Sequence, residues 1–154
     1  MGTERPWVRG ELPWLGSGPL FRVHSDSLGE LDAFLDRFGY ERVELDGRRM
    51  TSRLDAHAEL ARAFDFPDYY GKNWDAFNDC MRDVVHDHDG TRFAVLWRHV
   101  EAAASAAPAT TVEVGWALLE TASGAMPTLR DDGPSRIALD VFCIGDGADF
   151  DRAG

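Results

Sequence analysis

The sequence predicts an α/β fold in which a small, mostly parallel sheet is covered by helices. Segments typical of strands and helices alternate along the 154 residues in the order β-α-β-α-α-β-α-α-β, and this alternation indicates parallel strands joined by helical crossovers. One strand candidate, residues 93–97 (FAVLW), is apolar at every position, as expected for a strand buried on both faces. The length suits one core, so we expect residues 1–154 to form a single domain.

The first 39 residues predict a strand and a helix behind an irregular lead-in. Residues 1–19 are rich in Gly, Pro and Trp and show no period, whereas residues 20–25 (LFRVHS) are typical of a short strand. Ser27 and Glu30 have the spacing of a capping box, which predicts a helix start. Gly39 suits the end of this helix. Its apolar stripe is Leu28, Leu31, Leu35 and Phe38.

The middle of the chain predicts a strand at residues 40–47 (YERVELDG) and then two helices. Ser52, followed by Asp55, opens the first helix, and Pro67 ends it because the residue before a proline avoids the helical region. We place His57 of this helix at the surface or at the edge of the core. The expected apolar stripe is Leu54, Ala58, Ala61 and Phe64.

The last part of the chain predicts two short helices between the strand at 93–97 and a final strand at 136–144 (RIALDVFCI). Pro108 stops the first of these helices, and Thr110 opens the second, which runs to Gly124. Trp97 and Trp116 are expected in the core, and a loose tail follows the last strand.

The charge balance favours cationic partners. Lys and Arg number 16 and Asp and Glu number 27, which gives a formal charge of −11. Such a protein repels nucleic acid and anionic membranes, so we expect no direct nucleic-acid binding. No apolar run approaches the length of a membrane span and no secretory signal is evident. Cys80 and Cys143 lie in apolar patterns typical of buried thiols, and the expected location is cytoplasmic.

The helix predicted after Gly71 has an acidic face. On a helical wheel, Asp75, Asp79 and Asp83 lie opposite the apolar side, although like charges at this spacing repel. The apolar side consists of Trp74, Phe77, Met81, Val84 and Val85, with Cys80 at its edge. Two interpretations stay open, a solvated helix face and a binding surface for a cationic pocket. The preceding Tyr69-Tyr70-Gly71 turn favours the second, because exposed aromatic rings beside a glycine suit close contact with a partner.

Residues 66–81 (FPDYYGKNWDAFNDCM) resemble the barstar family of ribonuclease inhibitors. The matching residues are Pro67, Asp68, Tyr69, Tyr70, Gly71, Asn73, Asp75, Ala76, Asp79 and Cys80. The resemblance extends from about Tyr40 to Ile144 and implies a barstar-like core with a three-stranded, mostly parallel sheet in residues 40–144. Residues 1–39 are then an N-terminal addition, whose strand lies at a sheet edge or pairs antiparallel.

The resemblance implies a protein inhibitor rather than an enzyme, with no cofactor and no metal. It would be a monomer when free and would block the active site of a secreted, basic, guanyl-preferring ribonuclease one to one, as an antitoxin or immunity protein does. Asp79 would take the place of a substrate phosphate, Asp75 would pair with neighbouring basic groups, and Tyr69 would pack against the nuclease's catalytic histidine. Ionised carboxylates suit this role because they form strong bonds to arginine.

The rest of the implied contact surface includes departures from the family pattern. Asn78 stands where well-known members have an aromatic residue, and Asp83 adds a charge where the family often has a small residue. Glu120 is the candidate for a family glutamate on the helix before the last strand. The complete set of predicted partner-binding residues is Tyr69, Gly71, Asn73, Trp74, Asp75, Asn78, Asp79, Asp83 and Glu120.

Two other functions are compatible with the residues. An orphan interaction domain would keep the fold but bind a partner that is not a nuclease, with the N-terminal addition as a separate contact surface. A metal-dependent hydrolase would use residues 86–89 (HDHD). However, no third ligand in register is evident and catalytic zinc has three protein ligands, so a solvated polar loop is expected there.

Overall fold

Four parallel strands form a single sheet in the order β1-β4-β3-β2. The computed structural model describes residues 8–15, 20–122 and 137–152. The strands are β1 (Leu20–His24), β2 (Glu41–Asp46), β3 (Arg92–Arg98) and β4 (Ala138–Gly145). The predicted α/β fold class is confirmed. The added strand, β1, lies at the edge of the sheet and pairs parallel with β4.

The predicted helices are present in the predicted order, with one additional helix and two differences in their limits. They are α1 (Val8–Glu11), α2 (Leu28–Arg37), α3 (Arg53–Phe64), α4 (Trp74–Asp87), α5 (Val100–Ala106) and α6 (Pro108–Ala122). α1 occupies part of the expected irregular lead-in, and α6 begins at Pro108, where the ring presets the helical φ and no amide donor is needed. α4 continues through His86 and Asp87, so the expected polar loop begins only at His88. The predicted helix end at Gly124 lies outside the described residues.

Helices α3 to α6 cover one face of the sheet. Alternate strand residues point to this face, among them Val43, Phe93, Val95, Trp97 and Val141. They pack against helix side chains that include Leu60, Phe77, Met81 and Leu118. Trp97 is buried as predicted, but the prediction for Trp116 is wrong, because its side chain is 65% exposed. α6 instead buries Val114, Gly115, Ala117, Leu118 and Thr121.

Residues 8–15 and α2, which we name the N-terminal unit, cover the other face of the sheet. Leu31, Phe34 and Leu35 of α2 pack there with Val8, Leu12 and Leu15 of the lead-in. The strand residues that they cover are Phe21, Val23, Ala94, Leu96, Phe142 and Ile144. β3 and β4 are therefore buried on both faces, which is why residues 93–97 of β3 and 141–144 of β4 read as apolar runs.

Three local expectations about helix starts and stripes can be compared with the structure. Ser52 caps α3 as predicted, its hydroxyl accepting from the Asp55 amide at 3.1 Å. Ser27 makes no side-chain cap, because a 3-10 turn at Ser25–Ser27 precedes α2. The apolar stripe predicted for α3 is wrong at Leu54, which is 63% exposed, and at Ala58, which is also exposed. The residues that α3 buries are Ala56, His57, Glu59, Leu60 and Phe64.

Both cysteines are buried free thiols, as predicted. Burial raises the pKa of Cys143 to about 12. Burial, with the nearby charges of Asp83 and Asp79, also raises the pKa of Cys80. Neither thiol is therefore ionised at neutral pH. Among the described helices, none has both the length and the apolar character needed to cross a membrane.

Candidate partner-binding surface

The loop between α3 and α4 is anchored by two aromatic side chains and presents a third. Asp65 ends α3 in the left-handed region, with φ of 56°. Phe66 and Tyr70 are buried, with ring centroids 5.0 Å apart, and Phe66 also meets Phe77 of α4 edge-on. Tyr69 is 80% exposed. The core thus fixes the backbone on both sides of Tyr69 and leaves its ring available for contact.

A buried histidine of α3, His57, contacts this loop. The Tyr70 hydroxyl lies 2.6 Å from His57 Nδ1, and the His57 ring lies 4.4 Å from the Trp74 ring, centroid to centroid. The surface or core-edge position expected for His57 is wrong, because its side chain is fully buried. Among the described residues, its Nε2 has no hydrogen-bond partner. Helix α3 therefore supports both the loop and the start of α4 through one imidazole.

Burial keeps His57 and Tyr70 uncharged at neutral pH. Desolvation holds the pKa of His57 below its ordinary value; Arg53 lowers it further, and Glu113 opposes the shift. Desolvation also raises the pKa of Tyr70. Since a proton on His57 would put a charge into this packed site, protonation opposes the arrangement of the loop.

We expect folding stability to decrease in mild acid because of His57. Its pKa is lower in the folded than in the unfolded protein, so the unfolded state binds the proton more tightly. The stability that the neutral His57 side chain contributes is fully present above the unfolded pKa of about 6.5, and it is lost as the pH falls from that value through the lower pKa of the folded state. Urea unfolding from pH 8 to pH 5 measures it. The difference between wild type and His57→Gln should change over this range; a constant difference would contradict the prediction.

Asn73 fixes the start of the acidic helix. Its Oδ1 accepts from the Ala76 amide at 2.8 Å, and its Nδ2 donates to the Gly71 carbonyl at 3.2 Å. A Cβ on Gly71 would lie 3.2 Å from that same Nδ2. The two predicted contact residues Gly71 and Asn73 are thus exposed but have a structural role as well.

The amphipathic pattern predicted for α4 is present. Phe77, Cys80, Met81 and Val85 are buried, and Asp75, Asp79 and Asp83 are exposed. Arg82 donates to Asp79 at 2.7 Å, three residues along the same helix. Within the described ranges, Asp75 and Asp83 have no ion-pair partner. One of the three carboxylates is therefore partly neutralised in the free protein, and two are not.

A groove between α4 and α6 adjoins the acidic face. We name it the α4–α6 groove; its volume is about 400 Å³. Its lining residues are Trp74, Asn78, Val112, Glu113, Trp116, Ala117 and Glu120. Trp74 Nε1 donates to Glu113 Oε1 at 2.9 Å across the two helices. Val112 is 72% exposed and Trp116 65% exposed.

The predicted site residues fall into two neighbouring groups. Trp74, Asn78 and Glu120 line the α4–α6 groove. The others are exposed on the loop and on the acidic face of α4: Tyr69, Gly71, Asn73, Asp75, Asp79 and Asp83. The predicted contact residues did not include Val112, Glu113 and Trp116. A signal was available, because Val112, Trp116 and Glu120 recur every four residues and so share one side of α6.

The residues considered for a metal site are not brought together. His86 lies within α4, and the His88 ring at the end of this helix lies 5.6 Å from the Phe93 ring. No cluster of three or more potential metal ligands occurs in residues 8–15, 20–122 and 137–152.

Comparison with known proteins identifies the family. The family model described as "Barstar (barnase inhibitor)" matches residues 40–139, and so includes all the predicted partner-binding residues. A Bacillus subtilis (strain 168) protein named "Putative ribonuclease inhibitor YrdF" is 42% identical over 44 residues, which are 29% of this chain and 48% of that relative. The chain thus spans about half the length of this curated relative. Because the family model covers more than half of the 154 residues, from just before β2 into β4, the chain belongs to the Barstar family.

Proposed function

We propose that the protein inhibits a basic microbial ribonuclease of the guanyl-preferring type by covering its active site. The observation that carries the proposal is the row of exposed carboxylates on α4, directly behind an anchored loop that presents Tyr69. The phosphate-binding site of a ribonuclease is cationic. Carboxylates held on a helix can replace substrate phosphates there through charge-assisted hydrogen bonds.

The two family tyrosines have different environments, which supports separate roles. Tyr70 belongs to the core, because its ring is buried and its hydroxyl meets His57. Tyr69 is the one that is free to pack against the catalytic histidine of the nuclease. Asp75 meets neighbouring basic groups, and Asp79 exchanges Arg82 for cations of the partner. Asp83 extends the same charged face by one turn.

Occlusion requires no catalytic group, cofactor or metal in the inhibitor. In this proposal the free protein is a monomer in the cytoplasm, and it protects the producing cell by binding the nuclease one to one. Its formal charge of −11 attracts a basic partner over long range and accelerates encounter.

The proposal predicts inhibition that depends on salt in a specific way. At micromolar concentration the protein should inhibit at least one member of a panel of guanyl-type microbial ribonucleases. Added salt should slow association while changing dissociation less, because steering acts on encounter and close contacts act on release. Stopped-flow mixing and surface binding measure the two rates. If every nuclease of the panel stays fully active, the proposal is wrong.

A second candidate is an interaction domain with a partner that is not a nuclease. The observation that favours it is the α4–α6 groove, where Asn78 departs from the family pattern and the apolar residues Val112 and Trp116 are exposed. Affinity capture with the wild-type chain and with an Asp75→Ala/Asp79→Ala variant distinguishes the candidates. Capture of the same protein by both, without ribonuclease inhibition, would favour the second.

A further inference from the structure

The α4–α6 groove exposes apolar surface beside a fixed negative charge. Val112 and Trp116 lie one helical turn apart on α6, and both are largely exposed. Surface of this kind in a groove typically marks a place where another molecule binds. The charge beside it limits what that molecule can be.

Glu113 is the fixed charge. The indole of Trp74 donates to one of its oxygens at 2.9 Å, which orients the carboxylate. In the described part of the chain, no Lys, Arg or His forms a salt bridge with Glu113. Trp116 follows three residues later, so its ring and this carboxylate are neighbours on the helix surface. An oriented acceptor next to an aromatic ring suits one chemical group particularly well.

That group is a guanidinium. It is planar, stacks on aromatic rings, and donates hydrogen bonds in a fork that matches a carboxylate. A purely apolar ligand would take water from the Glu113 carboxylate without replacing its hydrogen bonds. Lysine carries a compact, strongly hydrated charge, which stacks less well. No Lys or Arg is among the groove's lining residues, whereas two Glu are, and the whole chain is acidic.

We propose that the α4–α6 groove binds an arginine side chain of a basic protein partner, with Trp116 stacking on the guanidinium and Glu113 accepting its hydrogen bonds. The identification of that partner as a ribonuclease rests on the proposed function. The binding surface then extends from the acidic face of α4 across the groove to α6.

The first test uses an arginine probe that does not depend on the partner. Titration of the protein with N-acetyl-arginine amide, followed by NMR of the indole N–H signals, should shift Trp116 and Trp74 saturably. N-acetyl-lysine amide should bind more weakly. Trp116→Ala should abolish the effect on Trp74, and Glu113→Gln, which keeps an oxygen for the Trp74 indole, should weaken it.

The second test uses the ribonuclease that wild type inhibits. Trp116→Ala and Glu113→Gln should each raise Kd at least about tenfold, as the loss of a hot-spot residue does. The control is Asp36→Asn, which also removes one charge but lies on α2, on the other side of the sheet; its Kd should stay within about twofold. Because Trp116 and Glu113 are exposed, urea unfolding should show folded variants.

The outcomes separate this inference from the proposed function. Inhibition by wild type, with unchanged Kd in Trp116→Ala and Glu113→Gln, would overturn the groove proposal alone. Saturable arginine binding without inhibition of any nuclease would overturn the proposed function and keep the groove as a site for another basic protein. Equal binding of the lysine and arginine probes would overturn the assignment to guanidinium. If neither arginine nor a nuclease binds, both proposals fail.

Discussion

Replacing Asp79 with alanine is expected to weaken ribonuclease binding by at least ~2 kcal/mol, which is about thirtyfold in Kd. Asp79 lies on the exposed side of α4 between Asp75 and Asp83. In the proposed complex it occupies a phosphate site, surrounded by cations of the nuclease. Its removal leaves those cations desolvated and unpaired, and this penalty adds to the lost attraction. Isothermal titration or competitive inhibition with wild type and variant measures the change.

The chain offers a closely matched control in Asp36→Ala. Asp36 lies 3.0 Å from Arg42, and Asp79 lies 2.7 Å from Arg82. The two aspartate side chains are 74% and 73% exposed. Each replacement removes one negative charge and leaves one arginine without that partner, but Asp36 is on the opposite side of the sheet. We expect Asp36→Ala to change binding by less than about 0.5 kcal/mol, so general electrostatic effects can be subtracted.

Arg82 makes a second comparison necessary. Asp79→Ala leaves the charge of Arg82 on the contact face, where it repels a basic partner. The double variant Asp79→Ala/Arg82→Ala separates this repulsion from the lost contact. If the double variant binds as tightly as wild type, Asp79 serves only to neutralise Arg82, and its role as a phosphate mimic is wrong. A double variant that stays at least tenfold weaker supports the mimic.

The features that the sequence predicts well are those with a strong local period. The order of strands and helices follows from such patterns, as do the two faces of α4. Features without such a period are predicted poorly, and α3 is an example. This helix is rich in alanine, so its apolar residues indicated the wrong buried stripe, and nothing in the pattern indicated that the imidazole of His57 is buried. Trp116 was predicted in the core, although Val114, Ala117 and Leu118 define the buried face of α6.

The α4–α6 groove depends on contacts that local patterns do not contain. Trp74 and Glu113 are 39 residues apart, and they meet only because α4 and α6 pack on the same face of the sheet. The sequence did show that Asn78 lacks the expected aromatic ring. It did not show that Trp116 presents an aromatic ring in the same groove from the neighbouring helix.

The second covered face of the sheet was implicit in the sequence. Residues 93–97 read as buried on both sides, and the helices after β2 can cover only one of them. Val8, Leu12 and Leu15 have the i, i+4, i+7 spacing of a helical stripe, but Gly10 and Pro13 interrupt the pattern. The lead-in therefore reads as irregular although these three residues are buried.

The covered face leads to the second large prediction, which concerns stability. Leu35→Ala on α2 should lower the free energy of unfolding by about 2–5 kcal/mol, because Leu35 is fully buried between the N-terminal unit and the sheet. Leu54→Ala on α3 is the matched control; with 63% of that residue exposed, the change should stay within about 0.5 kcal/mol. Urea unfolding followed by tryptophan fluorescence measures both.

Hydrogen exchange then tests whether residues 1–39 are a separable addition or part of one cooperative unit. We expect Leu35→Ala to accelerate exchange at the amides of Phe77 and Met81 in α4 as much as in α2. The reason is that β3 and β4 contribute side chains to the hydrophobic clusters on both sides of the sheet, and so couple the two sides. Faster exchange confined to α2 would mean that the N-terminal unit opens alone. In that case residues 40–144 would fold without it, and deletion of the unit would leave the partner-binding surface intact. With cooperative unfolding, deletion would uncover Leu96 and Phe142 and destabilise α4 together with its carboxylates.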